Sequence, residues 1–170
     1  MIKSEYTEEK TISTSQDAFS LYEKSRFGEK IDSRIEYSLI ESIYLQKIKK
    51  IKVYQRNKEI STEELIKKAK RKDKKIKTRL TVFSDLRKKG YIVKTALKFG
   101  AEFRVYDKGV KPGKDHARWI LFTSRENENL TWHDFTSKNR VAHSTKKKLL
   151  LGIVDDEESV SYYEVSWIKT

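Results

Sequence analysis

With 170 residues the chain can form one medium domain or two small ones, and a large multidomain assembly is excluded. It carries 38 Lys plus Arg against 25 Asp plus Glu, for a net charge of +13 and a pI near 9.7, which points to a polyanionic partner, nucleic acid first. Having no cysteine excludes disulfides, thiolate nucleophiles and cysteine-ligated zinc. No apolar run approaches the roughly 20 residues that span a bilayer, so the sequence predicts a soluble, cytoplasmic protein with no membrane partner.

A charged fraction of 37% would suit disorder, but three Trp, nine Tyr, seven Phe and many Ile, Leu and Val argue for packed cores. Residues 1–30 are polar and weakly patterned, with Phe19, Leu21, Tyr22 and Phe27 as packing residues of short strands or turns. Ile35, Leu39, Ile40, Ile43, Tyr44 and Ile48 recur every three to four positions and predict a helix over about 36–49. A short strand follows at Ile51, Val53 and Tyr54; then Ser61 with Glu64 makes a capping box before a second helix carrying Leu65 and Ile66.

Residues 67–79 hold nine basic residues among thirteen, with Asp73 as the sole acid. They form an RNA-facing surface, an interdomain linker or an ordinary solvated helix face. Leu80, Phe83 and Leu86 mark another helix, closed by Gly90 at a left-handed cap position. Strands are expected at 91–93, 103–106, 119–123, 149–154 and 160–168, with a short helix at 131–139. The fold class is therefore α/β in the α+β sense. A small N-terminal α/β domain spans 1–75, and a C-terminal mixed-sheet, nuclease-like domain spans 76–170, built around the run Leu149, Leu150, Leu151.

Two places in the second half could carry chemistry. His116 sits beyond the turn Gly109-Val-Lys-Pro-Gly-Lys114, a flexible basic loop between two strands, with Tyr106 ending the strand before it. Loops held by a sheet commonly display catalytic side chains, although a lone loop histidine is more often merely exposed. Arg140-Val-Ala-His-Ser-Thr-Lys-Lys-Lys148 leads straight into the apolar strand, so a lysine is anchored near the sheet; the same lysines would also suit a helix C-terminus.

Phe103-Arg-Val-Tyr-Asp-Lys-Gly109, His116 ten residues after Tyr106, and the run 140–148 before an apolar strand together resemble the archaeal tRNA-intron endonucleases, as does Gly90-Tyr-Ile-Val-Lys-Thr-Ala-Leu-Lys-Phe-Gly100. The resemblance is strong over about 76–170 and weaker before it, where residues 37–48 match best. It implies a catalytic triad of Tyr106, His116 and Lys147 that cleaves pre-tRNA at a bulge–helix–bulge fold by attack of a 2′-hydroxyl on the adjacent phosphate. The products would carry 2′,3′-cyclic phosphate and 5′-hydroxyl ends. Lys147 is chosen because the family's lysine falls four residues after the motif histidine, here His143, with Lys146 and Lys148 as local alternatives.

The residue types suit that reaction. An imidazolium, with an ordinary pKa near ~6.5, can protonate the leaving oxygen, and an ammonium can stabilise the charge growing on phosphorus. Neither task needs a metal or other cofactor. The family role of Tyr106 as base asks for cations such as Lys147 or Arg104 beside it, and the acid and base labels of Tyr106 and His116 are interchangeable at this stage.

The resemblance further implies RNA binding by Arg140, through stacking on a splayed base. It also implies subunit docking by the acidic turn Asp155, Asp156, Glu157, Glu158, and a homotetramer, with a heterotetramer containing a structural subunit as the alternative. A non-catalytic, structural RNA-binding subunit would keep fold and charge but lose triad members. A metal-dependent nuclease would need a carboxylate set, for which Glu102 and Asp107 are the nearest candidates.

Overall fold

The computed structural model describes residues 1–170, which divide into two compact units, Met1–Leu80 and Thr81–Thr170. No helix is long and apolar enough to cross a membrane.

The first unit contains strands β1 Ile2–Tyr6 and β2 Lys10–Ser13, helix α1 Gln16–Ser25, strands β3 Glu29–Ile31 and β4 Arg34–Ser38, helix α2 Leu39–Lys47, strands β5 Ile51–Gln55 and β6 Lys58–Ile60, and helix α3 Thr62–Lys72. The six strands form one sheet in the order β3-β4-β2-β1-β5-β6, parallel only between β1 and β5. Alternation sorts its faces: Ile2 and Ser4 of β1 are buried while Lys3 and Glu5 are exposed. Ile35, Tyr37, Ile43, Leu45, Ile51, Val53 and Leu65 fill the core, and each such aliphatic side chain contributes about 1.5–3 kcal/mol on burial.

Two expectations for this unit are corrected. The helix expected over about 36–49 runs Leu39–Lys47, because residues 36–38 belong to a strand in which Ile35 and Tyr37 face inward, and Ile35 joins the helical stripe only by lying four positions before Leu39. Ser38 then caps the helix reciprocally with Glu41, whose carboxylate also accepts the Gly28 N–H at 2.9 Å. Gly28 itself is obligatory, since at φ +75° an added Cβ would lie 2.6 Å from Ile35 Cγ2. The second correction concerns Phe19, Leu21 and Tyr22, which lie on helix α1, capped by Ser15, rather than on strands or turns.

The second unit is built on helix α4 Ile76–Lys88, within which the division between units falls, strands β7 Ile92–Thr95, β8 Phe103–Tyr106 and β9 Trp119–Arg125, helix α5 Trp132–Ser144, and strands β10 Lys148–Val154 and β11 Val160–Val165. Strand order is β11-β10-β9-β8-β7. Only β9 and β10 run parallel, which requires the long crossover that contains α5.

Helices cover both faces of this sheet. On one face Phe83 of α4 meets Phe103, ring centroids 5.9 Å apart, and Gly152 of β10 lets the helix approach, because a Cβ there would lie 2.9 Å from Val82 Cγ1. On the other, Phe135, Val141 and Ala142 of α5 pack on Ile120, Phe122, Leu149 and Leu151. Helix α5 runs to Ser144, five residues beyond the expected end at 139, so Arg140 and His143 are helical. Strand β11 stops at Val165 rather than 168; Trp167 leaves the sheet line and packs edge-on against His143, ring centroids 4.1 Å apart.

Candidate active site

Register brings three residues into one row at one end of the second sheet. Val105 of β8 pairs with Trp119 of β9, and Trp119 pairs with Lys148 of β10. The positions just outside these pairs are Tyr106, Arg118 and Lys147. Arg118 is tied to both neighbours, donating its N–H to the Val105 carbonyl and accepting from the Lys148 N–H, each at 3.0 Å. Two inter-strand steps separate the Tyr106 and Lys147 backbones, about 10 Å. Arg104 lies opposite Ile120, whose side chain belongs to the α5-side core, so Tyr106, two residues along β8, faces the same side.

Lys147 is held by the end of α5. Thr145 N–H donates to Val141 and Lys147 N–H to Ala142 (2.8 Å), while Lys146 takes a left-handed φ of +56°, so the helix closes and the chain drops directly into β10. Its half-buried side chain donates from Nζ to the Thr145 carbonyl at 3.1 Å. Burial, and then the nearby Arg104 guanidinium, push its pKa below the ordinary lysine value. The neighbouring lysines are differently employed. Lys146 is an exposed cap residue, and Lys148 pairs with Glu164 at 3.0 Å, a carboxylate that also accepts from Trp119 Nε1 at 2.7 Å. Those two donors hold the Glu164 carboxyl below its usual range.

His116 is exposed on the loop that leaves the sheet at Tyr106 and returns at Arg118. Gly109 and Gly113 supply its positive φ values, +80° and +92°, Pro112 bridges Asp115, and an Asp107–Arg118 ion pair of 3.3 Å ties its two ends. His116 therefore stands two residues from the row, next to buried Ala117. A cleft of about 210 Å³ adjoins, lined among others by Asn139, His143, Lys147 and Trp167.

Arg140 is exposed on α5, two turns before Lys147. The acidic turn lies at the far end of β10, roughly 24 Å from Lys147 along the strand. Asp155 is occupied within that turn, accepting from Glu157 N–H (2.9 Å) and Ser159 N–H (2.8 Å). Glu158 binds Arg125 at 2.6 Å and Thr81 at 2.8 Å, leaving Asp156 and Glu157 as the acids facing outward.

The carboxylates weighed for a metal do not converge. Glu102 accepts from Thr123 N–H and Oγ1 at 2.9 and 2.6 Å, whereas Asp107 pairs with Arg118 five residues further on, on the order of 17 Å along the chain. Arg118 had no signal in the sequence beyond an arginine directly before a strand, and Trp167, expected on the last strand, lies past its end against His143.

Two family models match the chain: the tRNA intron endonuclease N-terminal domain over residues 2–66 and the tRNA intron endonuclease catalytic C-terminal domain over residues 76–162. A tRNA-splicing endonuclease of Pyrococcus abyssi is 40% identical over 162 residues, covering 95% of this chain and 93% of the relative. One from Methanothermobacter thermautotrophicus is 40% identical over 159 residues (94% and 92%), and one from Nanoarchaeum equitans is 46% identical over 140 residues (79% and 90%).

Proposed function

The chain belongs to the tRNA intron endonuclease family and acts as an endonuclease in tRNA splicing; from that premise we propose that it cuts pre-tRNA at bulge–helix–bulge sites by metal-independent transesterification, with Tyr106, His116 and Lys147 as the catalytic residues. The observation that carries this reading is the row Tyr106, Arg118, Lys147 with His116 on the loop joining its first two members.

In this reaction the RNA supplies its own nucleophile. The 2′-oxygen adjacent to the scissile phosphate bonds to phosphorus, the bond from phosphorus to the 5′-oxygen breaks, and the departing oxygen takes up a proton. Atoms balance as a 2′,3′-cyclic phosphate and a 5′-hydroxyl. The protein removes one proton and returns one, tasks within reach of Tyr106 and His116. Lys147 places an ammonium against the crowded phosphorane oxygens, where half-burial strengthens its field. Lys147 is favoured over Lys148 because Lys148 is already committed to Glu164.

Arg140 and the cleft wall at His143 and Trp167 offer planar groups on which a splayed base could stack, the usual mode of single-strand RNA recognition. Assembly is read as a homotetramer, with Asp156 and Glu157 the outward acids of the docking turn Asp155–Glu158 and a heterotetramer as the alternative.

The test is single-turnover cleavage of a bulge–helix–bulge pre-tRNA and of a fully paired control by the wild type and by His116→Ala. The expected result is cleavage confined to the bulged substrate and lost at least a hundredfold in the variant. Unimpaired cutting by His116→Ala sinks the triad, and binding without any cutting by the wild type would make the chain a structural RNA-binding subunit.

A further inference from the structure

The charge of the unit Met1–Leu80 is laid out unevenly. Of its 21 Lys and Arg and 13 Asp and Glu, residues 67–79 hold nine and one; the other 12 basic residues are matched by 12 acids. The whole excess of the unit therefore sits on the C-terminal half of α3, the connector 73–75 and the first turn of α4.

Elsewhere in this unit three cations of the sheet are neutralised in place. Lys10 and Arg34 both pair with Glu36, and Lys52 pairs with Glu59 at 2.9 Å. In the basic segment the one acid, Asp73, is taken by Arg79 at 2.7 Å. Lys68 lies over the Tyr6 ring, 5.2 Å from its centroid. Lys67, Lys70, Lys72 and Lys74 are exposed and make no ion pair, hydrogen bond or ring contact.

Folding of the unit does not require this arrangement. Lys70, Arg71 and Lys72 occupy the last turn of α3, where the helix dipole favours cations by about 0.3–1 kcal/mol. That leaves Lys67 a turn earlier and Lys74 beyond the helix end. Lys67 with Lys70 and Arg71, and Lys68 with Lys72, are like charges three or four residues apart, each pair costing a few tenths of a kcal/mol. The free cations are strung over roughly 10 Å of helix and connector rather than converging on a pocket, so they match a run of negative charges and not a single anion. The four free cations are lysines, point charges with no planar group of their own, which fit phosphates rather than bases.

We propose that Lys67, Lys70, Lys72 and Lys74 form a second RNA-binding surface that takes the sugar-phosphate backbone of the pre-tRNA away from the cleaved bond. The inference rests on the reading above that pre-tRNA is the substrate.

The test is binding of a pre-tRNA carrying a 2′-deoxy nucleotide at each cleaved position, over a series of salt concentrations. The proteins are the wild type, a variant with Lys→Gln at all four positions, and a matching Lys→Arg variant. Each phosphate contact contributes about 0.7–0.9 to the slope of log affinity against log salt. The Gln variant should have a slope shallower by roughly 3, with affinity at 0.1 M salt reduced by roughly ten- to a thousandfold, and the Arg variant should keep both. Cutting of unmodified pre-tRNA by the wild type is followed alongside. If the wild type cuts but the Gln variant retains the wild-type slope and affinity, this inference alone is overturned. A Gln variant that keeps the slope but loses self-association in sedimentation assigns the patch to an acidic protein surface and overturns it too. No cutting by the wild type fails the underlying reading first.

Discussion

Lys147 and Lys148 are adjacent in sequence yet point to opposite faces of the second sheet, so removing each amino group tests the register argument against a matched control. Lys148 shares its face with Trp119 and Glu164, where an exposed ion pair contributes about 0.2–1 kcal/mol to stability. Lys148→Ala should therefore lower the unfolding free energy in urea by no more than about 1 kcal/mol and leave the cleavage step intact. Lys147 is half-buried on the α5 side, in the row with Tyr106, and donates only to the Thr145 carbonyl of its own cap. If Lys147 faces the phosphorane as proposed, truncating it removes one preorganised cation and slows the chemical step by roughly 10²–10³, or about 2.7–4 kcal/mol. The assay is single-turnover cleavage with enzyme in excess, so that weakened binding is saturated away, paired with urea melts of all three proteins. A larger rate loss in Lys148→Ala than in Lys147→Ala would refute the assignment and with it the face-by-face reading of β10.

Further outcomes follow from the same geometry. Burial and Arg104 lower the Lys147 pKa, so its ammonium is lost as pH rises through that lowered value; with Lys147 in the proposed role, the alkaline decline of the single-turnover rate should begin below the ordinary lysine pKa of about 10.4. Arg104→Met should move that limb upward, and a limb that stays put contradicts the second cause. The folded-state pKa of Glu164 is depressed, so its contribution is present above the unfolded value and disappears as pH falls through the folded one. Glu164→Gln should accordingly flatten the acid side of stability against pH below about 4.3; a constant offset from pH 3 to 7 would contradict it. Gly152→Ala sets a methyl 2.9 Å from Val82 Cγ1 and should cost about 1–3 kcal/mol in urea melts, with no loss expected only if α4 shifts freely.

Much of the second sheet was legible in the sequence because its strands are compact apolar runs set off by glycine or charge. Phe103–Tyr106 is a strand with the bounds expected of it, and the other four differ only at their ends. Ser61 accepts from the Glu64 N–H, the backbone half of the expected cap. Helix α1 was missed because its one buried residue is Ala18; Phe19, Leu21 and Tyr22 are half-exposed and give no stripe to read. Register was not legible at all. That Tyr106, Arg118 and Lys147 share a row depends on pairings among β8, β9 and β10, and the choice of Lys147 over Lys148 depends on which face each takes, which no local pattern encodes. Arg118 reads in sequence as one more surface cation, and only its two backbone bonds show it as the centre of the row.

In the proposed reaction the RNA's own 2′-hydroxyl is the nucleophile and protein side chains alone drive the displacement. The decisive assay offers the enzyme, in excess EDTA, a bulge–helix–bulge pre-tRNA and the same RNA with 2′-deoxyribose at the cleaved positions, and identifies the ends. The expected result is cleavage of the first to 2′,3′-cyclic phosphate and 5′-hydroxyl ends and none of the second. Cutting of the deoxy substrate, 5′-phosphate ends, or abolition of activity by EDTA would rule this mechanism out.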